Sequence, residues 1–193
     1  IYGENKMSAL FQRRYQENVR LQTICKFVVD IIMIIVFAYV LVMFTCDRTK
    51  VSGGSMQPSL ENEETVLINR LAYSLIKPRR YSVIAFKVDG ASSKKVYIKR
   101  VIGLPGEKIQ IKEGRVYING EQLEDDVSDD NILTAGLAAN EITLGSGEYF
   151  VLGDNRNNSE ASRFASVGIV KEDNIIGSVW AVIMPIKNFG FVK

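Results

Sequence analysis

Three short segments of the sequence carry residue types that could perform nucleophilic catalysis. They are Ser52–Leu60 (SGGSMQPSL), Tyr97–Gly106 (YIKRVIGLPG) and Gly153–Arg163 (GDNRNNSEASR). The chain contains no histidine, which excludes a Ser-His-Asp triad, a Cys-His dyad and a histidine-bound zinc. A serine nucleophile in this chain would therefore need a lysine, an aspartate, a glutamate or a tyrosine as its base.

Lys99 is the lysine whose surroundings best suit the role of a base. A lysine accepts a proton only when its amine is neutral, and its ordinary pKa of about 10.4 prevents this at pH 7. Burial among apolar residues can lower the pKa of a lysine by several units. Suitable neighbours flank Lys99, namely Tyr97, Ile98, Val101 and Ile102. Because side chains alternate along a strand, the adjacent Arg100 is expected to point to the opposite face.

Each segment also has an ordinary structural explanation when it is taken alone. A Gly-Gly-Ser sequence followed by proline could be a simple linker. A lysine within an apolar strand usually faces solvent on the polar side of the alternation. A Gly-Asp-Asn-Arg sequence is usually a turn. For any single segment, the ordinary explanation is at least as good as the functional one.

A long apolar segment precedes all three motifs. Phe27–Cys46 (FVVDIIMIIVFAYVLVMFTC) contains one charged residue, Asp30, near its start. As a helix, this segment would be about 30 Å long, which matches the hydrocarbon core of a bilayer. A buried helix of a soluble core would normally show a polar stripe, and none follows Asp30. The segment therefore predicts a transmembrane helix, which we place at residues 23–46.

The charges beside this segment predict its orientation. Five basic residues precede it: Lys6, Arg13, Arg14, Arg20 and Lys26. The 20 residues after it contain only two, Arg48 and Lys50. Cytoplasmic flanks of transmembrane helices are enriched in basic residues. We therefore expect residues 1–22 to be cytoplasmic and the residues after Cys46 to lie outside the cell membrane. Residues 10–21 are expected to form either a short interfacial helix or a frayed tail.

The part of the chain after the apolar segment has the patterns of β-structure. Runs typical of strands recur between turn signals: TVLINRLAY, YSVIAFKV, KVYIKRVIGL, KIQIKEG, RVYING, EYFVLG and NIIGSVWAVIMPI. Lys112–Arg115 predicts a hairpin turn, and Asn119-Gly120 predicts a second turn. Residues 133–140 are weakly patterned and are expected to be loop. The net charge of +2 gives no reason to expect nucleic acid as a partner.

Taken together, the three motifs resemble one enzyme family. The patterns Ser-Met-x-Pro-x-Leu, Tyr-x-Lys-Arg-Val-x-Gly-x-Pro-Gly and Gly-Asp-Asn-Arg-x-x-Ser follow an N-terminal apolar segment in the order found in type I signal peptidases. Only about residues 107–147 lack a strong motif, and the short single-span form is similar to enzymes of Gram-positive bacteria. The resemblance implies a membrane-anchored serine endopeptidase that cleaves signal peptides from exported pre-proteins, with the lipid bilayer as its second partner. It implies no cofactor and no metal.

The resemblance also implies roles for individual residues. Ser55 would be the nucleophile, Lys99 the general base, and the hydroxyl of Ser159 would orient the Lys99 amine. The oxyanion region would contain the backbone N–H of Ser55 together with Ser52, Gly53 and Gly54. An ion pair between Asp154 and Arg100 would hold the strand that carries the base. Small residues at the first and third positions before the cut would enter shallow pockets, whose walls are Met56, Leu60, Tyr97 and Ile98.

The sequence departs from the family pattern at three places. Gly53 stands where some relatives carry a serine as a second oxyanion donor, so Ser52 is a possible replacement. The third motif ends in Ala161-Ser162-Arg163 instead of Asp-Ser-Arg, which leaves Arg163 without its usual carboxylate unless Glu160 replaces it. Residues 80–82 read Arg-Tyr-Ser instead of Arg-Gly-Asp.

The fold implied by these observations is mainly β. We expect a coiled antiparallel catalytic domain at residues 47–106 and 148–193, with a small inserted β subdomain at residues 107–147. A non-enzymatic alternative is a membrane-tethered relative that acts as an assembly or binding factor for a subset of exported surface proteins, such as pilus subunits. A third possibility, a self-cleaving Ser-Lys repressor, is disfavoured because such proteins carry a soluble DNA-binding domain.

Overall fold

A computed structural model describes residues 2–88, 95–124, 128 and 130–192, with the backbone alone for residues 2–18 and 74–75. The chain divides into two compact units, Ile1–Phe44 and Thr45–Lys193. The first unit is helical, and the second contains the strands and the three motifs.

The N-terminal unit is formed by one continuous helix, α1, at Tyr2–Thr45. It is longer than the predicted helix at residues 23–46 and includes the segment expected to be a short interfacial helix or a frayed tail. The reason is local: residues 4–26 contain neither glycine nor proline and are rich in residues that favour helices. Within Val19–Thr45, an 18-residue window has a mean hydropathy of 2.9, and none of this window is buried in the protein. By length and composition, this part of the helix is suited to crossing a membrane.

The second unit is built from antiparallel strands and one short helix, α2, at Ala72–Leu75. The strands, in chain order, are β1 Cys46–Lys50, β2 Thr65–Asn69, β3 Val83–Phe86, β4 Tyr97–Gly103, β5 Lys108–Lys112, β6 Arg115–Ile118, β7 Glu121–Gln122, β8 Ile142–Thr143, β9 Glu148–Leu152, β10 Val170–Lys171, β11 Ile175–Met184 and β12 Gly190–Phe191. Single turns of 3-10 helix lie at Gly136–Ala139, Arg156–Asn158, Glu172–Asn174 and Ile186–Asn188.

The strands form two sheets. The larger sheet has the order β1-β2-β11-β3-β4-β9-β10, with β12 paired to β11. Register shifts interrupt the pairing of β4 with β9 and of β11 with its neighbours, and such bulges increase the local twist and curl a sheet. The smaller sheet has the order β7-β6-β5-β8. The predicted fold class, a mainly β protein with a coiled antiparallel sheet and one N-terminal apolar helix, is confirmed.

The two predicted turns are present in the smaller sheet. Glu113 and Gly114 join β5 to β6 with φ values of 50° and 76°. Asn119 and Gly120 join β6 to β7 with φ values of 52° and 87°. Two consecutive residues with positive φ form the tight hairpin turn that matches the twist of antiparallel strands. The proposed boundaries of the inserted subdomain, 107 and 147, remain a prediction.

The apolar side chains of the second unit form three buried clusters, of which one lies beneath the first motif. This cluster contains Val51, Met56, Leu60, Val66, Ile68, Val83, Ala85, Ile98, Val179 and Val182. Met56 and Leu60 are both buried in this cluster, so the two ends of the turn that follows Ser55 are anchored in the core. Ile98 joins the same cluster from β4, so the strand that carries Lys99 and the segment that carries Ser55 share one packing unit.

Candidate active site

Ser55 lies on a tight turn whose flanks are held by backbone hydrogen bonds. The N–H of Gln57 donates to the carbonyl of Gly54 at 3.2 Å, and the N–H of Leu60 donates to the carbonyl of Met56 at 2.9 Å. Met56 is 1% exposed, so the residue directly after Ser55 is anchored in the core. The Ser55 hydroxyl is thereby presented from a rigid segment.

Lys99 lies in the middle of β4 and its side chain reaches this turn. Nζ of Lys99 is 2.6 Å from Oγ of Ser55. The side chain is 4% exposed, which differs from the solvent-facing position that is usual for a lysine in a strand. Every residue of β4 after Tyr97 is buried, because both faces of the strand are covered.

Burial is the main influence on the Lys99 amine, and it lowers the pKa of Lys99 to about 8. The negative charges of Glu160 and Asp154 act in the opposite direction, and the positive charge of Lys95 adds to the lowering. With a pKa of about 8, roughly a tenth of the Lys99 amines are neutral at pH 7, against fewer than one in a thousand for an ordinary lysine. The site can therefore supply a base next to a serine hydroxyl near neutral pH.

Ser159 is buried close to the dyad, but its hydroxyl has a different partner from the predicted one. The Ser159 Oγ donates to the backbone carbonyl of Glu160 at 3.4 Å. Among the residues that the structure describes, no hydrogen bond joins Ser159 to Lys99. The role of Ser159 in orienting the base stays a prediction.

Arg100 and Asp154 form the predicted pair in the interior. Nε and Nη2 of Arg100 donate to Oδ1 and Oδ2 of Asp154 at 2.8 and 2.6 Å, and both side chains are 1% exposed. The remaining donors of Arg100 reach the carbonyl of Tyr81 at 2.8 Å and the hydroxyl of Ser59 at 3.2 Å. One guanidinium thus ties β4 to the third motif, to the first motif and to the residues before β3.

The third motif also contacts the nucleophile segment through the main chain. The N–H of Asn155 donates to the carbonyl of Ser55 at 3.2 Å. A Cβ atom on Gly153 would overlap this same carbonyl and the Ser159 hydroxyl. Only glycine fits there, because one of the two groups in the way is backbone. The motif sequence identified Gly153 but gave no indication of this contact.

The predicted oxyanion region is shaped by a residue that the motifs did not indicate. Gly53 has a φ of 85°, and its N–H donates to Oδ1 of Asn62 at 2.7 Å. This N–H is therefore occupied within the loop. The neighbouring Ser52 lines the cleft next to Ser55. Asn62 lies three residues before β2, and this position is the only indication of its role that the sequence gives.

A cleft of about 460 Å³ opens onto the dyad. Its lining residues are Thr49, Lys50, Val51, Ser52, Ser55, Met56, Lys95, Val96, Tyr97, Ile98, Lys99 and Glu160. Three of the four predicted pocket residues, Met56, Tyr97 and Ile98, contribute to this lining. Leu60, the fourth, is fully buried in the core beneath it.

The two walls of the cleft present strand edges. Residues 97–100 of β4 pair with β3 on one side, whereas β9 pairs with β4 only from Arg100 onward. Val51 exchanges backbone hydrogen bonds with residues 63 and 64 on one side. Within the described ranges, no strand pairs with the other edge of residues 96–99 or of residues 51–52. An extended peptide could bind between these edges by adding a strand.

Arg163 is not paired with a carboxylate. Its side chain is 2% exposed, and Nη2 donates to the carbonyls of Arg156 and Ser159. Nε and Nη1 have no partner among the described residues, and burial lowers the pKa of Arg163. Glu160 does not replace the missing carboxylate, because its side chain is exposed and lines the cleft while Arg163 is buried.

Among the residues that the structure describes, no group of three or more cysteine, aspartate or glutamate side chains is arranged to hold a metal ion. The polar side chains that line the cleft are the hydroxyl-bearing Thr49, Ser52, Ser55 and Tyr97, three lysines and Glu160.

Comparison with known proteins identifies the group to which the chain is most similar. Residues 24–184 match the family model described as "Signal peptidase, peptidase S26". The signal peptidase I of Bacillus caldolyticus is 36% identical over 160 residues, which are 77% of this chain and 85% of the relative. The signal peptidase I T of Bacillus subtilis (strain 168) is 32% identical over 162 residues, covering 80% of this chain and 82% of the relative.

One solved structure with a similar chain is the crystal structure of a signal peptidase I from Enterococcus faecalis V583. It is 32% identical, and the match covers 54% of this chain and 97% of that chain with a TM-score of 0.45.

Proposed function

Because the chain belongs to the peptidase S26 family of signal peptidases, we propose that it is a membrane-anchored serine endopeptidase that removes signal peptides from exported pre-proteins. The observation that best supports this proposal is the 2.6 Å distance between Nζ of Lys99 and Oγ of Ser55. Lys99 is 4% exposed and its pKa is lowered to about 8, so a base that is partly neutral near pH 7 adjoins a hydroxyl in a cleft suited to a peptide.

The reaction begins with transfer of the Ser55 hydroxyl proton to the neutral Lys99 amine while Oγ attacks the scissile carbonyl. The tetrahedral intermediate collapses when the Lys99 ammonium gives this proton to the departing amine. An ester then joins Ser55 to the signal peptide, and the mature protein leaves with a new amino terminus. Lys99 next takes a proton from water, the hydroxide attacks the ester, and the same proton returns to Oγ of Ser55. The signal peptide is released with a free carboxylate.

Negative charge develops on the carbonyl oxygen during both steps and needs hydrogen-bond donors. The backbone N–H of Ser55 is the donor that we assign to this oxygen. The Gly53 N–H is occupied by Asn62, so Ser52 is the nearest further candidate. Gly54 lets the backbone approach the substrate closely.

The signal peptide binds as an added strand between residues 96–99 and residues 51–52. Alternation along this strand turns the first and third side chains before the cut toward the walls formed by Met56, Tyr97 and Ile98. By the family resemblance, these side chains are small. The substrate is therefore held by its main chain and selected by the space available at two positions.

The apolar part of α1 anchors the enzyme in the cell membrane, with the N-terminal residues in the cytoplasm and the β-rich unit outside. Ser55 follows Cys46 by nine residues, and even a fully extended chain of this length spans only about 30 Å. Peptide bonds close to the outer membrane surface are thus the accessible substrates.

The decisive experiment incubates the purified full chain in detergent with a precursor that carries an Ala-x-Ala site. We expect cleavage after the second alanine, and a loss of at least about a thousandfold in Ser55→Ala and in Lys99→Met. Lys108→Met is the matched control, because this lysine is exposed, pairs with Glu141 and lies outside the cleft. Equal cleavage by the wild type, Ser55→Ala and Lys99→Met would overturn the Ser55–Lys99 dyad, and the absence of cleavage by the wild type would overturn the proposal in favour of the assembly-factor alternative.

A further inference from the structure

Glu160 is the one acidic side chain that lines the cleft among the described residues. It is exposed, and within the part of the chain that the structure describes its carboxylate forms no ion pair. Its backbone carbonyl accepts the Ser159 hydroxyl, so the residue is attached to the buried third motif while its side chain faces the opening. An exposed carboxylate beside a reacting centre is available to an external cation.

Glu160 lines the same cleft as Lys95, Tyr97 and Lys99. Its exposed side chain therefore lies at the part of the cleft that would hold the residues before the cut. The negative charge of Glu160 raises the pKa of both Lys95 and Lys99, which agrees with a carboxylate in the same cleft as these amines.

The two other cations of the cleft are already engaged. The Lys95 amine lies 4.6 Å from the centre of the Tyr97 ring. Lys50, on the opposite wall, is paired with Glu63 at 3.4 Å. Neither amine forms an ion pair with Glu160, so both leave its carboxylate available.

We propose that Glu160 selects precursors with lysine or arginine at the second position before the cut, an inference that rests on the proposed function. In an extended substrate, the first and third side chains face the pocket walls and must be small. The second side chain points the other way, toward the open rim of the cleft. It is therefore the only one of these three substrate side chains that can be long. A cationic side chain there would reach the Glu160 carboxylate.

The test uses three precursors that differ only at the second position before the cut: lysine, alanine or glutamate. For each enzyme, the kcat/KM values are compared as ratios at one pH, which cancels any change in the Lys99 amine. We expect the wild type to prefer lysine over alanine by about two- to fivefold, and glutamate to be disfavoured to a similar degree. Glu160→Gln should bring the ratios near one, and Glu160→Lys should invert them.

The control variant is Glu141→Gln, an exposed carboxylate away from the cleft, which should retain the wild-type ratios. High salt should weaken the wild-type preference, because exposed charges are screened. If the wild type cleaves all three precursors with equal kcat/KM, or prefers the glutamate precursor, the role of Glu160 is overturned and the proposed function is not. Failure to cleave any of the three precursors contradicts the proposed function, on which this role depends.

Discussion

Two neighbouring residues of β4, Lys99 and Arg100, show how one strand can hold two buried cations for opposite purposes. Arg100 is met by both oxygens of Asp154, so its charge is compensated and the three segments around it are joined. Lys99 has a serine hydroxyl as its hydrogen-bond partner, and no carboxylate of the described residues is in contact with it. The effect of burial on Lys99 therefore outweighs the opposing charges of Glu160 and Asp154, and its pKa falls to about 8.

In the proposed mechanism, Lys99 can act as a base because no carboxylate of the described residues contacts its amine. A carboxylate in contact with Lys99 would favour the charged form and remove its use as a base. The guanidinium of Arg100 presents a planar fork of N–H groups to both oxygens of Asp154 and is suited to a permanent pair. Lysine and arginine are therefore not interchangeable at these two positions.

The largest expected effect comes from Lys99→Met, which should change activity and stability in opposite directions. Loss of the base lowers kcat/KM for precursor cleavage by at least about a thousandfold. Removal of a buried amine that is protonated at pH 7 raises the free energy of unfolding by up to about 3 kcal/mol. Chemical denaturation at pH 7, beside the cleavage assay, measures both changes.

The stability difference between wild type and Lys99→Met should also depend on pH. In the unfolded chain the lysine keeps its proton up to its ordinary pKa, whereas in the folded protein it loses it near pH 8. The unfolded state thus binds more protons between pH 8 and about 10.5, so wild-type stability rises across this window. A difference that stays constant from pH 7 to 10 would contradict the lowered pKa.

The next largest effect tests the compensated cation. Asp154→Asn leaves the Arg100 guanidinium buried without a counter-ion and should destabilise the protein by about 3–5 kcal/mol. Replacing both members, as Arg100→Met with Asp154→Leu, should cost much less, and thermal or urea unfolding of Arg100→Met, Asp154→Leu and the double variant measures the coupling. The exposed pair Lys108–Glu141 is the control, with an expected effect below about 1 kcal/mol. If the double variant loses as much free energy of unfolding as the two single variants together, the role of the pair is contradicted.

Gly153→Ala should have an intermediate effect on both regions at once. The added methyl group overlaps the Ser55 carbonyl and the Ser159 hydroxyl, so the two motifs must move apart. We expect a destabilisation of about 1–3 kcal/mol together with reduced cleavage. At Gly190, the nearest atom to an added Cβ is 3.9 Å away, so Gly190→Ala should leave both measurements unchanged. Equal behaviour of the two variants would rule out the close approach at Gly153.

The smallest expected effect is a pair of opposite shifts in the pH profile. In the proposed mechanism the neutral Lys99 amine is the active form, so kcat/KM should rise with pH through an apparent pKa of about 8. Glu160→Gln removes a charge that raises this pKa and should move the midpoint to lower pH. Lys95→Met removes a charge that lowers it and should move the midpoint to higher pH. Shifts in the same direction for both variants would contradict the electrostatic origin of the midpoint.

Much of the fold could be predicted because its signals are local. The turns at Asn119-Gly120 and at Glu113-Gly114 depend on residues that tolerate positive φ, and both are visible in the sequence. The N-terminal extent of α1 was not predicted, because a modest amphipathic pattern does not separate a helix from a tail. The strand that contains Lys99 was recognised, but its burial on both faces depends on segments distant in the sequence.

For the site, residues in motifs were easier to find than residues that act through the main chain. Ser55 and Lys99 were predicted as a dyad, and their side chains lie side by side, although their roles await experiment. Asn62 and Asn155 each form one hydrogen bond that positions the backbone of the first motif, at Gly53 and at Ser55. Their spacing in the sequence does not indicate these contacts. The hydroxyl of Ser159 contacts a carbonyl one residue away, a local alternative that a motif cannot reveal.

The open strand edges of the cleft carry a consequence for the range of proteins that the enzyme can serve. Main-chain hydrogen bonds are the same for every extended polypeptide, so binding between these edges is nearly blind to sequence. A single enzyme of this kind could then process a large and varied set of exported proteins. Discrimination would come from the few side-chain contacts beside the dyad, and changing one of them would redirect the enzyme without rebuilding its fold.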